Sequence, residues 1–152
     1  MTLLHIQSLG LTISEPLFTD LTLTLTKGDR LGLVAANGRG KSTLLNCLVG
    51  MADPTTGEIT RGRGLRMGYV RQTLNEGAGA MTPYDLTLAA LPETQVDYES
   101  WRVDVVLAEL QMPYDMQHKP LSELGGGWQR MAMLAAEWVQ EPDVLLLDEP
   151  TN

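Results

Sequence analysis

Apolar and polar residues alternate one for one over residues 21–26. Leu21, Leu23 and Leu25 therefore share one face of an extended chain, and Thr22, Thr24 and Thr26 share the other. This predicts a half-buried strand, antiparallel to its neighbour. Two apolar runs without alternation, Leu31-Gly32-Leu33-Val34 and Val144-Leu145-Leu146-Leu147, instead have the pattern of strands covered on both faces in a parallel sheet. Between these two runs, residues 42–51 read as a helix. Gly50 closes it, and Asp53-Pro54 follows, where proline lacks an N–H and clashes with the preceding turn. From residue 85 to 138 the spacing becomes helical, in segments near 84–90, 99–111 and 128–140 separated by Pro92, Pro113 and Pro120. The pattern predicts one α/β domain with a helical insertion. Residues 1–76 form a mixed β core, 77–140 the helical part, and 141–152 a strand returning to the core. Residues 77–80, Gly-Ala-Gly-Ala, are the most flexible-looking junction, and there is no internal repeat. A buried-strand pattern so close to Asn152 leads to the expectation that the domain is incomplete at its C-terminus.

Composition changes this picture little. The 152 residues are 43% apolar and 20% charged, ordinary for one cored domain. No stretch approaches the roughly 20 consecutive apolar residues of a bilayer span, and the first ten residues lack a basic lead and a cleavage site. The expectation is no membrane insertion and a cytoplasmic location. The single cysteine, Cys47, has no disulfide partner within the chain and reads as a small buried apolar residue. Charge is uneven. Of the net -8, residues 1–76 contribute +2 and residues 77–152 contribute -10. That balance argues against non-specific nucleic-acid binding, which rests on Lys and Arg neutralising phosphates.

The chemistry concentrates at residues 31–43, LGLVAANGRGKST, where an apolar run meets a glycine-containing turn and then a helical pattern. Gly38 and Gly40 let the backbone turn its N–H groups inward, and a helix start adds roughly half a positive charge there. Phosphate oxygens fit such a concavity, formed by Ala35, Ala36, Asn37, Gly38, Arg39, Gly40, Lys41, Ser42 and Thr43. Lys41 is suited to bridge terminal phosphates, and Ser42 to ligand Mg²⁺ through its hydroxyl. The usual spacing G-x-x-x-x-G-K-[ST] has Ala35 in place of its first glycine, which requires a negative φ at that position.

Three further elements follow in order. The second apolar run ends in Asp148-Glu149, with Asp148 a candidate Mg²⁺ residue and Glu149 placed to polarise an attacking water. Gly125, Gly126, Gly127 and Trp128 form a glycine-rich turn before a helical pattern, a potential anion site. Gln72, in GYVRQ, offers a neutral amide to Mg²⁺ or to the water. Taken singly, each has a plain alternative: a solvated strand end, a helix cap, a surface glutamine.

Together VAANGRGKSTLL, PTTGEI, GYVRQ, LGGGW and LLLDEPTN resemble the ATP-binding cassette (ABC) ATPases over essentially the whole chain. The resemblance implies a P-loop NTPase (RecA-like) core with an antiparallel β subdomain and a helical subdomain carrying the signature motif. It assigns Gln72 to the Q-loop, Gly125 to Trp128 to the signature motif, and Asp148 and Glu149 to Walker B. The 21-residue step from Gly127 to Asp148 also looks like the family's. ATP and Mg²⁺ are the implied ligands, in a head-to-tail pair of cassettes where each ATP lies between one phosphate loop and the partner's signature helix. The wording DEPTN and the Trp after the glycines look like the soluble ABC-F proteins, which carry two cassettes and act on ribosomes, and a first, N-terminal cassette is the preferred placement. The alternatives are the ATP-binding subunit of a membrane transporter, partnered by a permease, and a degenerate cassette that binds ATP as a regulatory half.

Three departures from the family stand out. Gly125 replaces the signature serine that contacts the γ-phosphate. Leu11 and Ile13 stand where an adenine-stacking aromatic is common, and Phe18 is too close to the loop in sequence to take that place. The D-loop and switch histidine are expected beyond Asn152, and His5 and His118 are read as structural or surface residues rather than substitutes. Lys41→Ala is expected to weaken ATP binding by about 1.5–3 kcal/mol, the range for a charged hydrogen bond. Nucleotide titration checks this, and an unchanged affinity would refute the phosphate-loop assignment.

Overall fold

The computed structural model describes residues 1–34 and 39–148, with the main chain alone at Arg39. It divides into two compact units, Met1–Met67 and a second beginning at Gly68.

In the first unit, β1 (Thr2–Thr12) lies between β2 (Pro16–Thr26) and β3 (Thr56–Arg61), antiparallel to both. The predicted alternation in residues 21–26 is present: Leu21, Leu23 and Leu25 are half-buried, and Thr22 and Thr24 are exposed. β1 buries Leu4, Ile6, Leu9 and Leu11, a spacing that strict alternation forbids between Ile6 and Leu9. One extra residue restores the phase. Ser8 takes φ 48 and the register shifts against both neighbours at this point, so the second half of the strand turns back to the same core face. The Ser8 N–H donates to Thr22 Oγ1 at 3.0 Å. Across the sheet Gly57 has φ 78, and a Cβ there would stand 2.3 Å from the Ser8 carbonyl oxygen and 2.5 Å from that of Gln7. Only glycine accommodates both the backbone angle and the approach.

Helix α1 (Arg39–Val49) starts three residues earlier and ends two residues sooner than the sequence pattern suggests. Its apolar face buries Leu44, Leu45, Cys47 and Leu48, as expected for Cys47. Gly50, at φ 86, closes it, and the Met51 N–H turns back to the Asn46 carbonyl at 2.8 Å. Arg61, the last residue of β3, donates through Nε and Nη2 to the Leu48 carbonyl at 3.1 and 2.8 Å, and through Nη2 to that of Cys47 at 3.1 Å. A cation thereby binds the carbonyls at the helix end, of which that of Cys47 also accepts the Gly50 N–H at 3.2 Å, and ties α1 to the sheet. The Leu31–Val34 expectation is corrected. These four residues form no strand, and Leu31, Leu33 and Val34 are 59%, 45% and 93% exposed. An apolar run becomes a buried strand only when neighbours supply its edges, and the described strands of this unit pair with one another.

The second unit carries β4 (Met67–Val70), from its second residue on, paired with β5 (Val144–Leu147), and the helices α2 (Pro83–Ala89), α3 (Glu93–Glu99), α4 (Trp101–Glu109), α5 (Tyr114–Gln117) and α6 (Gly126–Trp138). Thr82 caps α2 by accepting the Asp85 N–H at 3.1 Å, with Pro83 in the first turn where no N–H is needed. The segment near 99–111 resolves into α3 and α4, which meet at Ser100, and α5 is a further short helix. The core is helical: Leu91, Val103, Leu107, Leu121, Ala132 and Val139 are among its buried members. β5 is less covered than its composition suggests, because only Val144 is fully buried and Leu147 is 41% exposed. No helix among the described residues is long and apolar enough to cross a membrane.

Gly57→Ala is expected to lower stability by about 1–2 kcal/mol for the left-handed φ and ~1–3 kcal/mol more for overpacking. Gly64→Ala, also at positive φ but with open space around it, carries only the first cost. Denaturant melts of both variants test this, and equal losses would sink the role given to the Ser8 bulge.

Candidate functional site

The phosphate-loop residues divide between described and undescribed positions. Ala35, Ala36, Asn37 and Gly38 lie outside the described residues, as do the side chain of Arg39 and the whole of Glu149. Gly40, Lys41, Ser42 and Thr43 fall in the first turns of α1, all partly buried. The opening N–H groups of a helix have no partner within it, so α1 offers donors and the positive end of its dipole at this point. Phe18 stands beside this turn: its Cδ1 lies 3.9 Å from an ideal Cβ at Gly40, and the Leu17 carbonyl lies at 3.5 Å. Leu11, by contrast, is buried in the sheet, and Ile13 is 74% exposed. Upstream, β2 ends where Asp29 Oδ2 accepts both the N–H and the hydroxyl of Thr26, at 2.8 and 2.9 Å. Those bonds hold the Asp29 carboxyl below the usual carboxylate range.

In the second unit, pairing of β4 with β5 continues one residue past β5, where the Asp148 N–H donates to the Val70 carbonyl at 3.0 Å. The C-terminal ends of the two strands are therefore side by side. That brings Asp148 next to the strand whose continuation, two residues on, is the exposed Gln72. The Asp148 side chain is buried, 6% exposed, and its Oδ2 accepts the Tyr69 hydroxyl at 3.3 Å. Burial first, and then the charge and hydrogen bond of Asp148, push the Tyr69 phenol up. The guanidinium of Arg71 lies 5.9 Å from the centroid of the Tyr69 ring.

Helix α6 meets these strands at Gly68, where an added Cβ would lie 3.0 Å from Leu145 Cδ1 and 3.2 Å from Glu137 Oε2. The close approach lets Glu137 Oε2 accept the Tyr69 N–H at 3.3 Å. Glu137 is half-buried, and loss of hydration raises its carboxyl above the usual range, opposed by the Tyr69 N–H and the charge of Arg71. A cleft of about 130 Å³ opens here, lined by Tyr69, Arg71, Asn75, Leu86, Met133 and Glu137 among others.

The other end of α6 holds the glycine-rich turn. Gly125 is the N-cap, at φ -65 and ψ 160 with no side-chain cap, and Gly126 and Gly127 lie inside the first turn, two residues earlier than the predicted start near 128. All three are exposed, and a Cβ at any of them would meet nothing within 4 Å, so packing does not demand glycine here. Their effect is to leave the first N–H groups of the helix uncovered. Trp128 is partly buried against the helical core. The turn is braced by Gln129, whose Nε2 donates to the carbonyls of Leu121 and Leu124 at 2.8 and 3.2 Å. About 16 Å of helix, from its rise per residue, separates Gly126 from Glu137, so the glycine turn and Asp148 serve different places.

Sequence reasoning therefore missed Tyr69, Glu137 and Gln129. The one visible signal was a carboxylate at 137 between the buried Ala135 and Val139 of an apolar helix. His118 stacks on Tyr84, ring centroids 5.3 Å apart, and meets the tilted Tyr114 ring at 4.7 Å, and His5 Nδ1 is 2.8 Å from Thr24 Oγ1.

Comparison with known proteins sets these features in a family. A family model described as ABC transporter matches residues 18–152. The zinc import ATP-binding protein ZnuC of Photobacterium profundum is 32% identical over 152 residues, covering 99% of this chain and 57% of that protein. YfmR of Bacillus subtilis, an uncharacterized ABC transporter ATP-binding protein, is 38% identical over 130 residues, 82% of this chain but 20% of its own length. The chain thus spans from one fifth to under three fifths of these relatives. Among solved structures, cbiO1 from Clostridium perfringens, part of the ABC transporter complex cbiONQ, superposes with TM-score 0.78 at 25% identity, over 99% of this chain and 66% of that one. A nucleotide-free ATP-binding cassette from an ABC transporter, 18% identical, shares the fold with TM-score 0.79, over 100% of this chain and 70% of that one. With its helix-borne Lys41 and Ser42, its buried strand-end Asp148 and its uncovered glycine helix start, the chain belongs to the ABC transporter family and has that family's mixed α/β P-loop ATPase cassette fold.

Proposed function

We propose that the chain is the ATP-binding portion of an ABC transporter's ATP-binding subunit, cytoplasmic, working with a second cassette and a permease. The observation that carries the ATP site is the buried Asp148 carboxylate at the end of β5, beside the strand that leads to Gln72. A hard oxygen donor held at a strand end suits Mg²⁺, as does the Ser42 hydroxyl in the first turns of α1. The chemistry that Mg²⁺ supplies when bound is neutralisation of charge on phosphate oxygens. The chain's own residues do the rest. Lys41 and the N–H groups of residues 35–43 hold the phosphates, Gln72 and Glu149 orient the attacking water, and Glu149 takes its proton. Gly125, Gly126 and Gly127 present N–H donors to the ATP of the partner cassette. Phe18, set aside on sequence spacing, stands beside the start of α1 and is proposed instead as the aromatic that covers the adenine ring.

The transporter reading rests on relatives named as transporter ATP-binding proteins, ZnuC among them. This revises the expectation of a ribosome-associated ABC-F factor, which drew on DEPTN and Trp128 alone and which none of the cited relatives' names supports. The part of that reading with an observation behind it is a second cassette on the same chain, since YfmR is far longer than the segment matched here.

Glu149→Gln in the full-length protein is expected to keep ATP binding and to slow hydrolysis by about 10²- to 10⁴-fold, the contribution of a general base. Nucleotide titration and phosphate release measure the two halves. Equal turnover in mutant and wild type would remove Glu149 from catalysis. ATP binding without turnover in the wild-type pair would establish the degenerate, regulatory cassette instead.

A further inference from the structure

We propose that Tyr69 is a positioning residue for Asp148: its hydroxyl orients the carboxylate toward Mg²⁺, and Glu137 of α6 holds Tyr69 in place. This rests on reading Asp148 as a Mg²⁺ residue. The geometry is a short relay across three elements. Glu137 Oε2 accepts the Tyr69 N–H at 3.3 Å, the Arg71 guanidinium faces the Tyr69 ring at 5.9 Å, and the Tyr69 hydroxyl donates to Asp148 Oδ2 at 3.3 Å.

Each link has a physical reason to be specific. A buried carboxylate keeps one orientation only if its oxygens have donors, and Asp148 is 6% exposed. A phenol that donates a hydrogen bond to Oδ2 while keeping its proton orients the carboxylate without adding charge, so the acid stays available to a cation. Groups that orient a metal ligand in this way typically change metal affinity by 10- to 100-fold when removed. Gly68 lies under this relay: a Cβ there would stand 3.2 Å from Glu137 Oε2 and press on the side chain that holds the Tyr69 N–H. It also joins the helix that begins with the signature glycines to the strand end that carries Asp148.

The test is a Mg²⁺ titration of ATP binding by the full-length protein, with ATP affinity in EDTA measured alongside. Tyr69→Phe keeps the ring and removes only the hydroxyl. It is expected to leave ATP affinity in EDTA unchanged and to raise the half-saturating Mg²⁺ concentration about 10-fold, the low end of the range above. In an Asp148→Asn background the same substitution should add nothing further. Glu137→Ala should shift the Mg²⁺ requirement in the same direction, and Glu137→Gln, which keeps an acceptor for the Tyr69 N–H, should restore it. A Tyr69→Phe curve that superimposes on wild type while Asp148→Asn shifts would overturn the inference and leave the ATP reading standing. No Mg²⁺ shift from Asp148→Asn would overturn both. Loss of ATP binding in EDTA as well as in Mg²⁺ for Tyr69→Phe would reduce Tyr69 to a folding role and equally overturn the positioning role.

Discussion

One main-chain hydrogen bond, from the Asp148 N–H to the Val70 carbonyl, organises the candidate site in the second unit. It extends the β4–β5 pairing one residue beyond the strand and sets two chain segments, remote in sequence, at a common edge. Asp148 is thereby buried at a strand end, where its carboxylate is shielded from water yet has the Tyr69 hydroxyl as a donor. A buried acid without such a donor would carry a desolvation cost of several kcal/mol, of the order found for unpaired buried ions. Gln72 leaves β4 at the same end, and Gly68 lets the Glu137 and Leu145 side chains come close to β4.

The first unit meets a different constraint. Its helix α1, which carries Lys41 and Ser42 in its first turns, is held by its flank and its other end. The flank is Leu44, Leu45, Cys47 and Leu48. At the other end Arg61 binds the carbonyls of Cys47 and Leu48, which makes the sheet a partner of the helix C-terminus. The sheet keeps its own apolar face continuous through the extra residue at Ser8, with Gly57 opposite. The helix that starts at Gly126 is arranged alike: its first turn is exposed, Gln129 braces the approach, and its far end carries the contact with β4.

Much of this was legible in the residues themselves. The alternation of Leu21 to Thr26, the buried thiol of Cys47, the stop at Gly50 and the helices flanking Pro92, Pro113 and Pro120 follow from periods of two and 3.6 residues and from local backbone chemistry. The order and spacing of Lys41, Gln72, Gly125 to Gly127 and Asp148 also carried the resemblance to the family whose model matches residues 18–152. Other features were not legible. The helix starts at Arg39 and Gly126 came earlier than the apolar period indicates, since glycines and polar residues fill a first turn without joining its apolar stripe. The apolar residues 31–34 form no strand in the described structure, because an apolar run does not carry its own pairing partners.

Turn, capping and periodicity signals act over a few residues, so the chain's local chemistry sets which groups it carries and the elements that present them. The meeting of Tyr69 with Asp148, 79 residues away, and of Glu137 with Tyr69 across 68 arises only when the strands pair and α6 packs against them, and no local pattern records it.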